Sequence, residues 1–282
     1  MTPQPHIGQR IHAQFEELSA QEKRVAGFIL DHFDDLAVYS AADLSRLTGV
    51  SKSTVSRLFK RLGFASFQAV RAHARELRSL GVPLVTDARA VGNDGERFRR
   101  HAQRELDNLS RCFADIAPQD FAEIIDFLDV ARRIVVVGFR NSYPLAMHCR
   151  QQLIQAREQV SLAPEPNQSL AEELAGLTCN DMVIVFGFRR RPSIFDAMMK
   201  ALDTMPCRVL LVADPSAKKY GKGIDWHLEC PLDSVSAFDS YASAMSLVCL
   251  LANGLLHLRL TVGRHRIDTV SDLYQRLEEL SI

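Results

Sequence analysis

Two stretches of this 282-residue chain carry side chains suited to a charged partner. The first reads Ser51-Lys52-Ser53-Thr54-Val55-Ser56-Arg57-Leu58-Phe59-Lys60-Arg61. Short hydroxyl side chains near a helix N-terminus reach base edges, and lysine or arginine neutralises phosphates. Ser51, Lys52, Ser53, Thr54, Ser56, Arg57, Lys60 and Arg61 are therefore the candidates for contact with double-stranded DNA. The second stretch is split between two turns, Gly138-Phe139-Arg140-Asn141-Ser142-Tyr143-Pro144 and Gly187-Phe188-Arg189-Arg190-Arg191-Pro192-Ser193. Arginine presents a planar fork that matches phosphate or carboxylate. Free N–H groups and the dipole at a helix N-terminus favour an anion as well. Arg140, Asn141, Ser142, Arg189, Arg190, Arg191 and Ser193 are the candidates for holding a small anionic metabolite.

Charge places the first partner locally rather than globally. Lys and Arg number 34, as do Asp and Glu, so the net charge is zero. Yet between Arg46 and Arg78 the basic residues 46, 52, 57, 60, 61, 71, 75 and 78 face a single acid, Glu76, an excess of seven. Such a cluster is the electrostatic footprint of a nucleic-acid surface. Other chemistries find less support. After Gly138 the later glycines of a dinucleotide fingerprint are replaced by Arg140 and Tyr143. The six cysteines, at 112, 149, 179, 207, 230 and 249, contain no Cys-x-x-Cys pair, and His101, His148, His227 and His257 lack ligand spacing. No catalytic residue, no metal site and no cofactor is expected. The opening residues lack the apolar core of a signal peptide, and no run reaches about 18 unbroken apolar residues. A cytoplasmic chain with no membrane partner is the expectation.

The elements that must position these groups follow from periodicity. Up to about residue 80 the apolar residues recur at helical spacing, as in Val25 and Ile29, and Ser19 with Glu22 forms a capping-box pattern. The segment 41–63 reads as helix, turn and helix. Gly49 supplies backbone freedom for the turn, small Ser45 lets the helices approach, Val50, Val55 and Leu58 hold them together, and Ser51 caps the second helix. Glycine and proline then mark a linker over 81–95. Helices are predicted at Gly95–Ile116 and Pro118–Ala131. Short apolar strands follow, at Arg133–Gly138, Gln159–Leu162, Met182–Phe188, Cys207–Ala213 and Trp226–Glu229. They alternate with helices at Tyr143–Ala156, Ser169–Gly176, Ser193–Met205 and Phe238–Leu260. The expected organisation is an all-α helix-turn-helix domain over 1–80, a linker, and an α/β domain over 96–282 with a parallel sheet covered by helices on both faces. Ligands of such sheets bind beyond the carboxyl ends of the strands, so both arginine turns face one crevice. Asp214, Ser216 and Lys218, and the segment from Ser236 to Ser243, either border it or serve helix capping and loop bonding.

With these residues in place, the chain resembles the RpiR/MurR family of bacterial regulators, which join a helix-turn-helix domain to a SIS (sugar isomerase) domain. The resemblance runs from Ile7 to Leu280. It is carried by LSAQEKRVAGFILDHFDDLAVYSAADLSRLTGVSKSTVSRLFKRLGFASFQAVR and, further on, by IVVVGFRNSY, DMVIVFGF, VLLVADPSA and SAFDSYASAM. It implies a transcription regulator, not an enzyme, in which a phosphosugar or carboxylate bound to the SIS domain modulates binding to a DNA operator. It also implies a homodimer or homotetramer whose half-sites lie about 34 Å or a multiple apart. The chain departs from the family's serine-rich phosphate cradle. Ser142 matches the first loop beside an intruding Arg140, while the third-strand loop carries Gly187-Phe188-Arg189-Arg190-Arg191. The alternative is a SIS-type phosphosugar isomerase with a helical extension, which needs a crevice acid or base that the sequence does not supply.

Overall fold

Helical apolar periodicity in the first third of the chain becomes a bundle of short helices. In the computed structural model, which describes residues 7–31, 36, 39–80, 94–221, 223–235 and 238–279, these are α1 (Ile7–Gln14), α2 (Ala20–Asp31), α3 (Ala41–Thr48), α4 (Lys52–Arg61) and α5 (Phe67–Leu80). Ile7, Ile11, Val25, Ile29, Leu44, Val55, Leu58, Phe59 and Val70 bury their side chains in one core. The capping box expected ahead of α2 forms: the backbone N–H and hydroxyl of Ser19 donate to Glu22 Oε2 at 2.9 and 2.7 Å. A second box opens α3, where Ser40 and Asp43 exchange side-chain and backbone hydrogen bonds.

The described residues fall into two units, one reaching to His101 and also holding Ser234–Phe238, the other holding Ala102–Asp233 and resuming at Asp239. Most of the expected linker lies outside the described residues. Helix α6 (Asp94–Ala114) begins at its end, and α7 (Pro118–Val130) follows with proline in its first turn.

The second unit is a five-stranded, wholly parallel sheet: β1 (Ile134–Gly138), β2 (Val160–Ala163), β3 (Met182–Phe186), β4 (Arg208–Ala213) and β5 (Trp226–Glu229), in the order β2-β1-β3-β4-β5. Every residue of β1 and β3 is buried, because helices cover both faces. Alternate residues serve opposite cores. Ile134, Val136, Met182, Ile184, Leu210 and Val212 pack against α8 (Ser142–Ala156) and α11 (Ala242–Leu258). Val135, Val137, Val183, Val185, Val209 and Leu211 pack against α9 (Leu170–Leu174) and α10 (Ser193–Leu202). The fold class is thus the one expected, an all-α helix-turn-helix unit followed by a SIS-like α/β domain.

Two local expectations change. β3 ends at Phe186, two residues early, because the Phe188 N–H leaves the ladder to bond Ser142. The long final helix predicted from Phe238 starts at Ala242, and a further helix, α12 (Leu260–Arg276), follows it.

Candidate functional site

The turn between α3 and α4 is built by three residues. Gly49 sits at φ +66°, in the left-handed region that glycine enters without a Cβ penalty. Ser45 does more than stay small: its carbonyl accepts the Val50 N–H at 3.1 Å and its hydroxyl donates to the Val50 carbonyl at 2.6 Å. Ser51 caps α4 by accepting the Thr54 N–H at 3.2 Å. One face of α4 is therefore fixed inward through Val55, Leu58 and Phe59, and Lys52, Ser53, Ser56, Arg57 and Lys60 stand exposed on the other.

Two expected contacts are used internally. Thr54 is 2% exposed, and its hydroxyl donates to Gln21 of α2 at 3.3 Å while accepting from Arg57 at 3.4 Å, so it positions Arg57 rather than facing outward. Arg61 pairs with Glu17 at 3.2 Å and Glu22 at 3.8 Å, fastening the end of α4 to α2. The Glu22 carboxyl is held below its ordinary range, chiefly by the side-chain and backbone hydrogen bonds from Ser19. Sequence reasoning missed Arg10. Its guanidinium donates to the Leu62 carbonyl at 2.9 Å and lies 4.7 Å over the Phe64 ring, closing the C-terminus of α4. A partner 52 residues away leaves no local signal.

In the sheet, the strand order reverses between β1 and β3, and the loops leaving these two strands carry the arginines. Ser142, 4% exposed, ties them together: its hydroxyl accepts the Phe188 N–H at 3.2 Å. Asn141 donates to the Tyr241 hydroxyl at 3.4 Å, and the Tyr241 ring stands edge-on to Phe188 at 5.6 Å. Arg189 is gripped from two sides. Its backbone N–H donates to Asp214 at 2.7 Å, and its guanidinium pairs with Asp239, with Nε at 3.0 Å. Arg140 and Arg190 occupy the left-handed region at φ +53° and +67°, where a side chain other than glycine is strained. Burial raises the Tyr241 hydroxyl pKa, while the neighbouring Arg189 and Arg190 oppose the rise.

Arg191 differs from its neighbours. It turns inward to donate to the Gly187 carbonyl at 2.7 Å, Ser216 at 3.0 Å and Asp214 at 2.7 Å, and it lies 5.7 Å from both the Phe195 and Tyr220 rings. A guanidinium so spent braces the loop. Ser193 is exposed in the first turn of α10. The structure thus bonds Asn141 to Tyr241 and Ser142 to Phe188, whose ring meets Tyr241, with the charges of Arg189 and Arg190 felt at the Tyr241 hydroxyl, and it diverts Arg191. Of the bordering residues, Asp214, Asp239 and Tyr241 take direct part, and Ser236 lies outside the described residues. Among the described residues no cluster of His, Cys, Asp and Glu is arranged to hold a metal, and no helix is long and apolar enough to cross a membrane.

Comparison with known proteins adds to this geometry. Residues 6–78 match the family model described as helix-turn-helix domain, rpiR family. An uncharacterised HTH-type transcriptional regulator in the aarA 3′ region of Providencia stuartii is 21% identical over 200 residues, 68% of each chain. Three further curated HTH-type regulators match over 54%, 50% and 49% of their own length, so the chain spans about half of each. The sugar isomerase domain of an RpiR transcription factor from Sphaerobacter thermophilus superposes with a TM-score of 0.57 at 17% identity, covering 62% of this chain and 97% of that one. The Vibrio vulnificus NanR protein complexed with ManNAc-6P gives a TM-score of 0.57 at 19% identity, covering 96% of this chain and 99% of that one.

A helix-turn-helix unit with an exposed basic face, followed by a parallel α/β sheet, defines the class: a transcriptional regulator whose helix-turn-helix domain precedes a domain of SIS-like fold. Residues 6–78 are thus a helix-turn-helix domain of the rpiR family, and the domain that follows shares the fold of the sugar isomerase domain of an RpiR transcription factor.

Proposed function

We propose that the chain binds operator DNA through the exposed face of α4 and that a small anionic metabolite, bound where the loops after β1 and β3 meet, changes that affinity. The observation that supports the reading is that the loops leaving β1 and β3, which carry Arg140, Arg189 and Arg190, are tied together by Ser142 and Phe188 at the carboxyl edge of the sheet, where the strand order reverses. Arginines in that position suit a phosphate or carboxylate. The complex of NanR with ManNAc-6P supports a phosphosugar as the first class to test. The Ser142 oxygen accepts the Phe188 N–H, and the side chain is only 4% exposed. The anion is therefore held mainly by guanidinium groups, with neutral sugar hydroxyls left for Asn141 and Tyr241. Two copies acting together present two α4 helices to successive turns of the duplex, and the effector shifts DNA affinity only by binding one arrangement more tightly than the other. Catalysis is no part of this reading, and the protein acts in the cytoplasm.

The test is a thermal-shift screen of the purified chain against phosphorylated sugars, sugar acids and small carboxylates. Each hit is then added to a duplex-binding titration. The expected result is at least one anion that raises the melting temperature and changes operator affinity. Stabilisation by neutral sugars alone overturns the arginine assignment.

A further inference from the structure

The Arg189–Asp239 pair joins the loop after β3 to the segment ahead of α11. Asp239 stands in the segment 230–241, which leads from β5 to α11, and its carboxylate neutralises Arg189, both side chains being largely buried at 13% and 16% exposure. Two points of that segment besides Asp239, at Asp233 and Ser240, are bonded to one helix, while Ser243 of α11 donates to the Pro231 carbonyl at 3.0 Å. On α6, Glu105 accepts the Ser240 hydroxyl at 2.8 Å, Asn108 donates to the Asp233 carbonyl at 2.6 Å, and Arg111 pairs with the Asp233 carboxylate at 2.7 Å. Cys112 lies 3.5 Å from Cys230, sulfur to sulfur. Residues 105, 108, 111 and 112 share one face of α6 by helical spacing, so Cys230, Asp233 and Ser240 all meet that face. Helix α6 is also the element through which the chain passes from the helix-turn-helix to the sheet.

We propose that Asp239 is a built-in stand-in for the effector's anionic group: the effector takes Arg189 from Asp239, frees the adjoining Asp239–Ser240 turn from Glu105, and thereby changes the footing of α6. The proposal rests on the reading of the crevice as the effector site. A phosphate offers the guanidinium fork two oxygens in place of the single Asp239 oxygen that Arg189 engages through both Nε and Nη2. Once displaced, the Asp239 carboxylate cannot stay in its shielded place without a counter-charge, because a buried, unpaired charge is costly. It moves to water and carries Ser240 with it, away from Glu105. Loop and helix thus respond to charge exchange at a single residue, and the internal carboxylate also sets the anion concentration at which the exchange occurs.

The test uses the full chain, inorganic phosphate as the probe, and the variants Asp239→Asn and Asp239→Glu. With the competing charge removed, Asp239→Asn is expected to bind phosphate at least tenfold more tightly in calorimetry. Even without phosphate, it should show faster amide hydrogen exchange over 238–242 and at 105–112 of α6. Asp239→Glu, which keeps the charge, returns affinity towards the starting value and controls for misfolding. Phosphate binding by the unaltered chain that Asp239→Asn leaves unchanged overturns the latch while preserving the crevice reading. Absence of binding by all three proteins, to phosphate and to the wider anion screen, overturns the crevice reading and the latch with it.

Discussion

Asp181 shows how one side chain fixes the entry to the sheet. It is wholly buried, just ahead of β3, and it accepts two hydrogen bonds from Arg132, at 2.9 and 2.6 Å, and two from Thr178, at 2.7 and 2.8 Å. Burial opposes its ionisation, but the Arg132 and Thr178 bonds outweigh that cost and bring its pKa to about 2. Because the folded pKa lies below the ordinary carboxylate value, the stabilisation is fully present above about pH 4 and is lost as the pH falls through 2. The shift corresponds to about 2 kcal/mol. Asp181→Asn is expected to lose stability of that order at pH 7, measured by urea unfolding, with the gap to the parent narrowing between pH 4 and pH 2. A constant gap across that range assigns the role to shape rather than charge. Cys149 makes the complementary point: burial alone pushes its thiol up to about 12, which leaves it an inert packing group.

At the level of elements, the loop after β3 has no room for a serine at its first position, Gly187. A Cβ built on Gly187 falls 2.7 Å from Phe195 Cζ and 3.0 Å from Leu211 Cδ1, and Phe195 and Leu211 are 1% and 0% exposed. Gly187→Ser is therefore expected to cost about 1–3 kcal/mol through overpacking, read as a lower urea midpoint with an unchanged slope. A variant as stable as the parent would mean that β3 and α10 separate easily at that point. Elements of this kind were legible to the extent that their causes are local. Gly49, Ser51, Val55 and Leu58 announce the helix-turn-helix because turn, cap and core positions lie within ten residues of one another. The strands show because runs such as Ile134–Val137 are unbroken and apolar. The short Val-Ser-Leu-Ala run of β2 was legible to within one residue at each end. Helix α12 was missed: Gly263, His265 and Arg266 interrupt its apolar stripe, so periodicity gave it no signature. The site was half legible. The arginine turns stand out in the sequence, but the partners that decide which arginine faces the ligand are far away. Asp239 is 50 residues from Arg189 and Asp214 is 23 from Arg191, and nothing in the local sequence couples them.

For the molecule as a whole, zero net charge has a consequence for DNA binding. No long-range attraction of the entire protein to the duplex operates, so the salt dependence of binding reports the phosphate contacts of the basic unit almost alone. Each phosphate neutralised contributes a slope of about −0.9 to the logarithm of affinity against the logarithm of salt concentration. Arg57 stands on the exposed face of α4, steadied by Thr54 and placed beyond the Ser51 cap, and under the proposed function it neutralises one phosphate per copy of the chain. Fluorescence anisotropy on a short mixed-sequence duplex, repeated across a salt series for the parent and for Arg57→Ala, therefore counts copies as well as contacts. If two chains grip the duplex together, the substitution makes the slope shallower by about 2, whereas a single bound chain gives about 1. An unchanged slope with weakened binding places Arg57 on a base edge instead. An unchanged slope and an unchanged affinity remove Arg57 from the interface, and the contact surface then has to be sought on another face of the helix-turn-helix.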